Sequence, residues 1–199
     1  MSPQPRLLLA SSSPYRRQLL ERLRLPFDCA SPDIDESPLP GEPPESLAVR
    51  LAESKAEALA GDYPQHLIIG SDQVAVTGDG HRLEKPGHFD VAREQLGRCS
   101  GQSVRFLTGL CLLDARTGSA WSVCEPYQVH FRNLTGDEID RYLTLEEPFD
   151  CAGSFRMEGL GIALFRHMEG SDPNSLIGLP LIALVDLLRD RGIDPLGAT

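Results

Sequence analysis

Three serines and a proline stand between an apolar run and an amphipathic stretch near the start of the chain. Residues 6–24 read RLLLASSSPYRRQLLERLR, which predicts a short strand over Leu7–Leu9 and a helix that opens at Pro14. Ser13 suits the N-cap, and Pro14 suits the first helical position because the N–H that it lacks would have no partner there. The free N–H groups, the helix dipole, the serine hydroxyls and Arg16–Arg17 together suit an anion such as a phosphate. The alternative is a capped helix whose arginines are simply solvated.

A carboxylate follows the most compact apolar run of the chain. The run His66–Gly70 predicts a buried central strand that delivers Asp72 at its carboxyl end, where ligand chemistry collects in α/β sheets. Asp72 is therefore the best candidate for a catalytic carboxylate, although an aspartate that closes a strand can also be a plain turn residue. The chain then turns at residues 77–80 and returns toward Lys85, which we expect to lie near Asp72 in space.

A loop rich in prolines carries further carboxylates, at Asp33, Asp35 and Glu36. Such a loop forms either a divalent-cation site or a solvated turn. Downstream, Lys55 falls inside a helix predicted over residues 44–60. A lysine in this position is usually exposed, and only a partner elsewhere in the fold would make it a ligand.

The five histidines are scattered along the chain, with no pair at metal-ligand spacing: His66, His81, His88, His130 and His167. We interpret them as ordinary surface or strand residues. The sequence also lacks the G-x-S-x-G, P-loop and G-x-G-x-x-G motifs, so acyl transfer and dinucleotide binding have no support.

Size and composition restrict the class of protein. With 199 residues, 41% of them hydrophobic, the chain can form one core, as a single domain over residues 1–199 or as two lobes that share a sheet. Its net charge of −10 argues against a nucleic-acid polymer as partner. Five widely spaced cysteines without a C-x-x-C motif indicate reduced thiols rather than disulfides or a zinc site. Without a long apolar run or a leader-like start, we expect a soluble cytoplasmic protein with no membrane partner.

The remaining periodicities predict an α/β fold with no repeat and no linker. The predicted elements are a helix over Asp90–Arg98 capped by Asp90, a hairpin of strands Val104–Leu113 and Ala120–Phe131, a helix opening with a capping box at Thr135–Glu138, a strand carrying Leu160, Ile162, Leu164 and Phe165, and a last helix from Leu179–Pro180 to about Arg191.

A series of short motifs resembles the Maf family of nucleoside triphosphate pyrophosphatases in order and spacing. The motifs are ASSSPYRRQLL, DE within IDES, ESKA, GSDQV, EKP, SGQ with TGL, and NSLIGLPL, which together span nearly the whole chain. The resemblance implies an ITPase-like (Maf) fold, with a mixed twisted sheet, flanking helices and two lobes around a cleft. It also implies hydrolysis of a nucleoside triphosphate to the monophosphate and pyrophosphate with a divalent cation (Mg, Mn or Co).

The resemblance assigns roles to individual positions. It implies that four residues bind the phosphates: Ser13, Arg16, Lys55 and Lys85. It also implies that Glu36 and Asp72 hold the metal, and that Asp72 accepts a proton from the attacking water. The reaction would then be in-line attack of water on the α-phosphorus, with pyrophosphate as the leaving group.

At three positions the chain departs from many family members: Tyr15 replaces an arginine, Gln73 replaces a threonine, and Glu158 stands where the dTTP- and UTP-cleaving branch has a glutamine. This combination resembles the branch assigned to 7-methyl-GTP. Methylation at N7 makes guanine cationic, and a cationic ring stacks well on an aromatic face. A carboxylate can accept hydrogen bonds from the guanine N1 and N2 donors. The alternative for Tyr15 is simple packing on the helix surface.

The resulting prediction is an enzyme that removes 7-methyl-GTP in nucleotide house-cleaning, with a small nucleoside triphosphate as its ligand. One alternative keeps the reaction but takes dTTP, UTP or another modified nucleotide. A second alternative is a nucleotide-sensing regulator of cell division that binds without turnover. A homodimer stays open as the assembly.

Overall fold

A mixed, seven-stranded sheet organises the molecule, and the computed structural model describes it over residues 5–197. The strands are β1 (Arg6–Ala10), β2 (Phe27–Ala30), β3 (His66–Thr77), β4 (Arg82–Leu83), β5 (Ser103–Asp114), β6 (Ser119–Phe131) and β7 (Phe165–Gly170). Their order is β2-β1-β3-β5-β6-β7, and β4 pairs with β3. β1 is parallel to β2 and β3, and the other pairs are antiparallel. The predicted mixed α/β fold is confirmed.

Within the described residues, six α-helices flank the sheet: α1 (Pro14–Glu21), α2 (Pro44–Ala58), α3 (Phe89–Cys99), α4 (Gly136–Glu146), α5 (Pro173–Ile177) and α6 (Leu181–Arg189). Two short 3-10 helices, Ala152–Ser154 and Leu160–Leu164, connect α4 to β7. No helix within residues 5–197 combines the length and the apolar character needed to cross a membrane.

One edge of β3 is only partly covered. β1 pairs with it as far as Gly70, and β4 begins to pair at Ala75, so residues 71–74 have neither strand beside them on that edge. On the other edge β5 pairs along β3 from Leu67 to Thr77. The prediction that Asp72 follows the end of a strand is therefore wrong. Pairing with β5 carries β3 well past Asp72, and the strand that ends there is β1.

α2 lies directly on one face of the sheet because glycines make room for it. A Cβ atom on Gly70 would overlap the carbonyl of Ala52, and one on Gly109 would overlap the carbonyl of Ala48. This close approach brings the last turns of α2 over the middle of β3. On the opposite face, leucines of α1 and α6 pack against the odd-numbered apolar residues of β1 and β3.

The C-terminal halves of β3 and β6 and the N-terminal half of β5 form a second lobe with α3, α4 and β7. Its centre is a chain of edge-to-face aromatic contacts, in which Phe155 lies 5.1 Å from Phe106 and 5.0 Å from Phe165 between ring centroids. Phe165 in turn lies 4.9 Å from Phe131. The sequence thus builds two hydrophobic lobes on one sheet.

Several local predictions need correction. The N-cap position of α3 is His88, whose side chain makes no capping hydrogen bond, and not Asp90, which lies in the first turn and complements the helix dipole there. The strand predicted through Leu160 begins only at Phe165. Leu160 and Ile162 are exposed in a 3-10 turn, where the Leu160 N–H donates to Glu146 at 2.8 Å. In the sequence, the alternation of Leu160 and Ile162 with small residues has the period of a strand, but the segment forms a 3-10 helix.

The capping box at the start of α4 is confirmed, with Thr135 and Glu138 bonding to each other's backbone N–H groups. At the end of the chain, α6 begins at Leu181, two residues later than expected. The short helix α5 before it was not predicted. Asp172 caps α5 through the Asn174 N–H at 2.8 Å and also accepts the Ile182 N–H at 2.8 Å.

Candidate active site

A cleft of about 790 Å³ opens beside the uncovered stretch of β3, between the two lobes. It is lined by all nine residues to which the resemblance assigns a role: Ser13, Tyr15, Arg16, Glu36, Lys55, Asp72, Gln73, Lys85 and Glu158. The structure thus brings together residues from both ends of the chain. Their individual roles stay predictions.

The start of α1 forms one wall of the cleft. Ser13 is the N-cap as predicted, and its Oγ accepts a hydrogen bond from the Arg16 N–H at 3.4 Å. The Arg16 Nε donates to the Gly178 carbonyl at 2.7 Å, which fixes the guanidinium beside the cleft. Burial lowers the pKa of Arg16, and the charges of Asp72 and Glu36 oppose that shift. Arg17 instead pairs with Glu21 at 3.1 Å on an exposed surface and does not line the cleft.

Lys55 is the centre of the charged part of the site. Its Nζ lies 2.6 Å from Asp72 Oδ1 and 2.6 Å from Glu36 Oε1. Lys55 and Asp72 are both buried, at 7% and 8% exposure. The sequence predicts an exposed lysine unless a partner lies elsewhere in the fold. Asp72 and Glu36 are such partners, and Lys55 is buried. One ammonium group therefore joins a helix, a strand and the loop before the helix.

The carboxylate of Glu36 is kept charged by its neighbours. Burial raises its pKa, but the hydrogen bond from Lys55 and the charges of Lys55, Lys85 and Arg16 outweigh burial and leave the pKa below its ordinary value. Lys85 follows β4 and is exposed, and within residues 5–197 its side chain has no ion pair or hydrogen bond. Its charge is thus available to a ligand in the cleft.

The oxygens of Glu36 and Asp72 suit a hard divalent cation. Mg²⁺ is typically held by one or two carboxylates together with substrate phosphates. Both side chains line the cleft and contact the same ammonium nitrogen at 2.6 Å, so the two carboxylates lie close together. The donor set therefore fits such an ion.

Gln73 has a different environment from its neighbour Asp72. Because side chains alternate along a strand, Asp72 faces α2 and Gln73 faces the opposite side of the sheet. The Gln73 Nε2 donates to the carbonyls of Ser175 at 2.8 Å and Leu176 at 3.2 Å. This side chain therefore fixes α5 against the sheet at the edge of the cleft.

The opposite end of the cleft contains an aromatic ring with a cation beside it. The Arg156 guanidinium carbon lies 5.8 Å from the centroid of the Tyr15 ring. Burial and the nearby Cys151 and Asp150 raise the pKa of the Tyr15 hydroxyl. Sequence reasoning missed Arg156. Its place two residues before Glu158, in the same SFRMEG motif, was the available signal.

Arg156 is held loosely for a half-buried arginine. Its terminal nitrogens lie 3.8 Å from Glu146 and 3.9 Å from Asp150, and its buried Nε has no hydrogen-bond partner among the described residues. Nearby, burial raises the pKa of Glu158, with the charge of Arg156 opposing and that of Asp150 adding to the shift. This end of the cleft thus contains an aromatic face, one arginine and a carboxylate that binds its proton more tightly than usual.

Comparison with known proteins agrees with the motifs. The model of the family described as "Maf-like protein" matches residues 6–191. The chain belongs to the Maf-like family.

Two Maf-like relatives carry the name 7-methyl-GTP pyrophosphatase over nearly their whole length. The protein of Pseudomonas syringae pv. tomato is 62% identical over 189 residues, covering 95% of this chain and 98% of the relative. The protein of Chromohalobacter salexigens is 58% identical over 192 residues, covering 96% of this chain and 99% of the relative. The family predicted from the motifs is therefore confirmed.

Proposed function

We propose that this Maf-like protein hydrolyses 7-methyl-GTP to 7-methyl-GMP and pyrophosphate, a nucleotide house-cleaning activity. The observation that carries the proposal is a single cleft with two chemically different ends. One end has Lys55 between Glu36 and Asp72, and the other has Tyr15 beside Glu158. The names of the relatives support the choice of substrate.

The charged end supplies what phosphoryl chemistry needs. Asp72 is assigned as the base that takes a proton from the water that attacks the α-phosphorus. The bond from that phosphorus to the bridging oxygen then breaks, and pyrophosphate leaves. Lys55, Lys85 and Arg16 are assigned to the negative charge of the triphosphate, and Ser13 with the start of α1 to a phosphate oxygen.

A divalent cation, Mg, Mn or Co, would be held by Glu36 and Asp72 and would neutralise charge on the triphosphate when bound. In this assignment Lys55 keeps both carboxylates in place beforehand, because its ammonium contacts each of them at 2.6 Å.

The other end is assigned to the base. The Arg156 guanidinium near the Tyr15 ring supports the idea that this aromatic face accepts a cation, as a 7-methylguanine ring would be. Glu158 is assigned to the N1 and N2 donors of the guanine edge, where its negative charge would also offset the charge of the methylated ring.

We also propose that the protein acts in the cytoplasm. All five cysteines are unpaired, which suits a reducing compartment.

The test is a panel of nucleotides assayed with Mg²⁺, Mn²⁺ or Co²⁺ in water enriched in ¹⁸O. We expect 7-methyl-GTP to be the best substrate, with 7-methyl-GMP and pyrophosphate as products and the heavy oxygen in the monophosphate. Chelation should stop the reaction. Orthophosphate as the first product, or label in pyrophosphate, would contradict attack at the α-phosphorus. Preference for dTTP or UTP would contradict the base assignment, and binding without hydrolysis would favour a sensor.

A further inference from the structure

Two histidines that are distant in sequence meet on one face of the sheet, away from the cleft. His130 lies on β6 and His167 lies opposite it on β7, with ring centroids 5.4 Å apart. Glu169 follows two positions after His167 on the same face. Both histidines are strand residues, as interpreted from the sequence, but their distance along the chain gave no sign that strand pairing brings them together.

The ligand atoms of these residues converge. Glu169 Oε1 lies 3.0 Å from His130 Nε2 and 3.1 Å from His167 Nε2, and the three ligand atoms all lie within 4.8 Å of one another. Within residues 5–197 this is the one group of three such side chains that could hold a metal ion. Tetrahedral zinc with bonds of about 2.0–2.1 Å separates its ligand atoms by roughly 3.3 Å. The observed spacing is therefore close to that of a metal site.

A neighbouring side chain orients His130 for this role. Its Nδ1 lies 2.7 Å from the Ser103 Oγ of the next strand, β5. A metal-binding histidine usually uses its second ring nitrogen in such a hydrogen bond, which fixes the ring and directs the other nitrogen to the ion. His130 is also mostly buried, whereas His167 and Glu169 have side chains exposed by 61% and 57%. The group thus has one fixed ligand and two that can adjust.

We propose that His130, His167 and Glu169 bind one divalent transition-metal ion of the zinc class. Two imidazoles and one carboxylate suit zinc, whereas Mg²⁺ prefers an all-oxygen set such as Glu36 and Asp72. Three protein ligands leave a fourth position for water. The ion would join the edge strand β7 to β6, directly after the segment that carries Glu158.

Isothermal calorimetry of the full-length protein with zinc chloride tests this site, with Asp72→Asn as the background that weakens metal binding in the cleft. We expect one zinc ion per chain in the Asp72→Asn protein, and the same binding event in the native protein whether or not the cleft takes a second ion. His167→Ala and Glu169→Gln should each weaken zinc binding by about tenfold to hundredfold or more, since even the loss of an outer-shell partner has effects of this size. The control is His88→Ala, an exposed histidine outside the group, which should leave zinc affinity unchanged.

Absorption of bound Co²⁺ gives a second reading, because nitrogen ligands in a tetrahedral site give visible bands that His167→Ala should remove. Circular dichroism should show an unchanged fold, since the side chain of His167 is exposed. Unchanged zinc affinity in His167→Ala would overturn the proposal, as would equal weakening in His88→Ala. Loss of zinc binding in Asp72→Asn alone would place the ion in the cleft and overturn it too. His167→Ala should still hydrolyse 7-methyl-GTP with Mg²⁺, because His167 does not line the cleft. This measurement separates failure of the zinc proposal from failure of the proposed function.

Discussion

The two ends of the cleft are built in different ways. At the charged end, the buried pair Lys55 and Asp72 lies on regular elements, α2 and β3, in contact at 2.6 Å. At the end assigned to the base, Tyr15 also lies on a helix, α1, but Arg156 and Glu158 lie on the irregular segment between α4 and β7. There Arg156 stands 3.8 and 3.9 Å from its acidic partners.

The difference suggests a division of tasks. A side chain on a packed helix or strand is held precisely but cannot change without affecting the fold, whereas one on a connecting segment can change at little cost to stability. We therefore expect substitutions at the charged end to affect all nucleotides, and those at the other end to change the preference among them.

The largest effect is expected for Asp72→Asn. The amide has the size of the carboxylate but cannot accept the proton, so kcat should fall by about 10²–10⁴-fold for every nucleotide. Stability should fall by only about 1–3 kcal/mol, because Lys55 keeps Glu36 as a partner. Steady-state kinetics and thermal unfolding measure the two quantities.

The matched control is Asp114→Asn. Asp114 is equally buried and pairs with Arg116 at 2.7 Å, but it lies outside the cleft. It should lose stability and keep its turnover. If Asp72→Asn kept wild-type pyrophosphate release, its assignment as the base would be wrong.

The second effect concerns Lys55→Met, which removes the ammonium between two carboxylates. We expect kcat/KM to fall about 100-fold for all nucleotides, since a charge-assisted contact of roughly 1.5–3 kcal/mol is lost at more than one partner. Mn²⁺ should raise the melting temperature of the variant more than that of the native protein, because the ion can replace the missing positive charge. Arg105→Met, which removes an ion pair with Glu45 outside the cleft, is the control. A larger loss of kcat/KM for 7-methyl-GTP than for GTP would contradict the proposed division of tasks between the two ends of the cleft.

The smallest effect should be the most selective. Tyr15→Ala and Glu158→Gln should each lower kcat/KM for 7-methyl-GTP by about tenfold to hundredfold, and lower it less for GTP and UTP, because each removes a contact of roughly 1–3 kcal/mol with the cationic base. Tyr15→Phe keeps the ring and should keep the preference. Equal losses on every nucleotide would show that these residues support the cleft as a whole.

Local signals in the sequence predicted the parts of the fold that depend on neighbours along the chain. The Ser13 cap of α1 and the capping box at Thr135 are short-range interactions, and both are confirmed. The hairpin of β5 and β6 is also confirmed, because its turn and its alternation lie within one stretch. The selected residues of the cleft came from motifs, and the structure shows that they share one cavity.

What the sequence could not predict depends on pairing between distant segments. Nothing near Asp72 indicates that β5 extends β3 past it, and nothing near Lys55 indicates that two carboxylates bury its charge. Arg156 beside Tyr15 and His130 beside His167 are likewise products of how strands and turns meet. Such contacts depend on sheet register, which periodicity alone does not determine.

The uncovered edge of β3 has a mechanical consequence. β3, β5 and β6 each run from one lobe into the other. Strand pairing is therefore interrupted on one edge of β3, at the cleft, but these three continuous strands still connect the two lobes. A hinge rotation between the lobes would have to break these ladders, and such rotations normally occur at a few unpaired residues instead. The width of the cleft is therefore set by the sheet. We therefore expect any closing of the cleft to come from the segments at its rim, those that carry Glu36 and Glu158, rather than from a movement of β3.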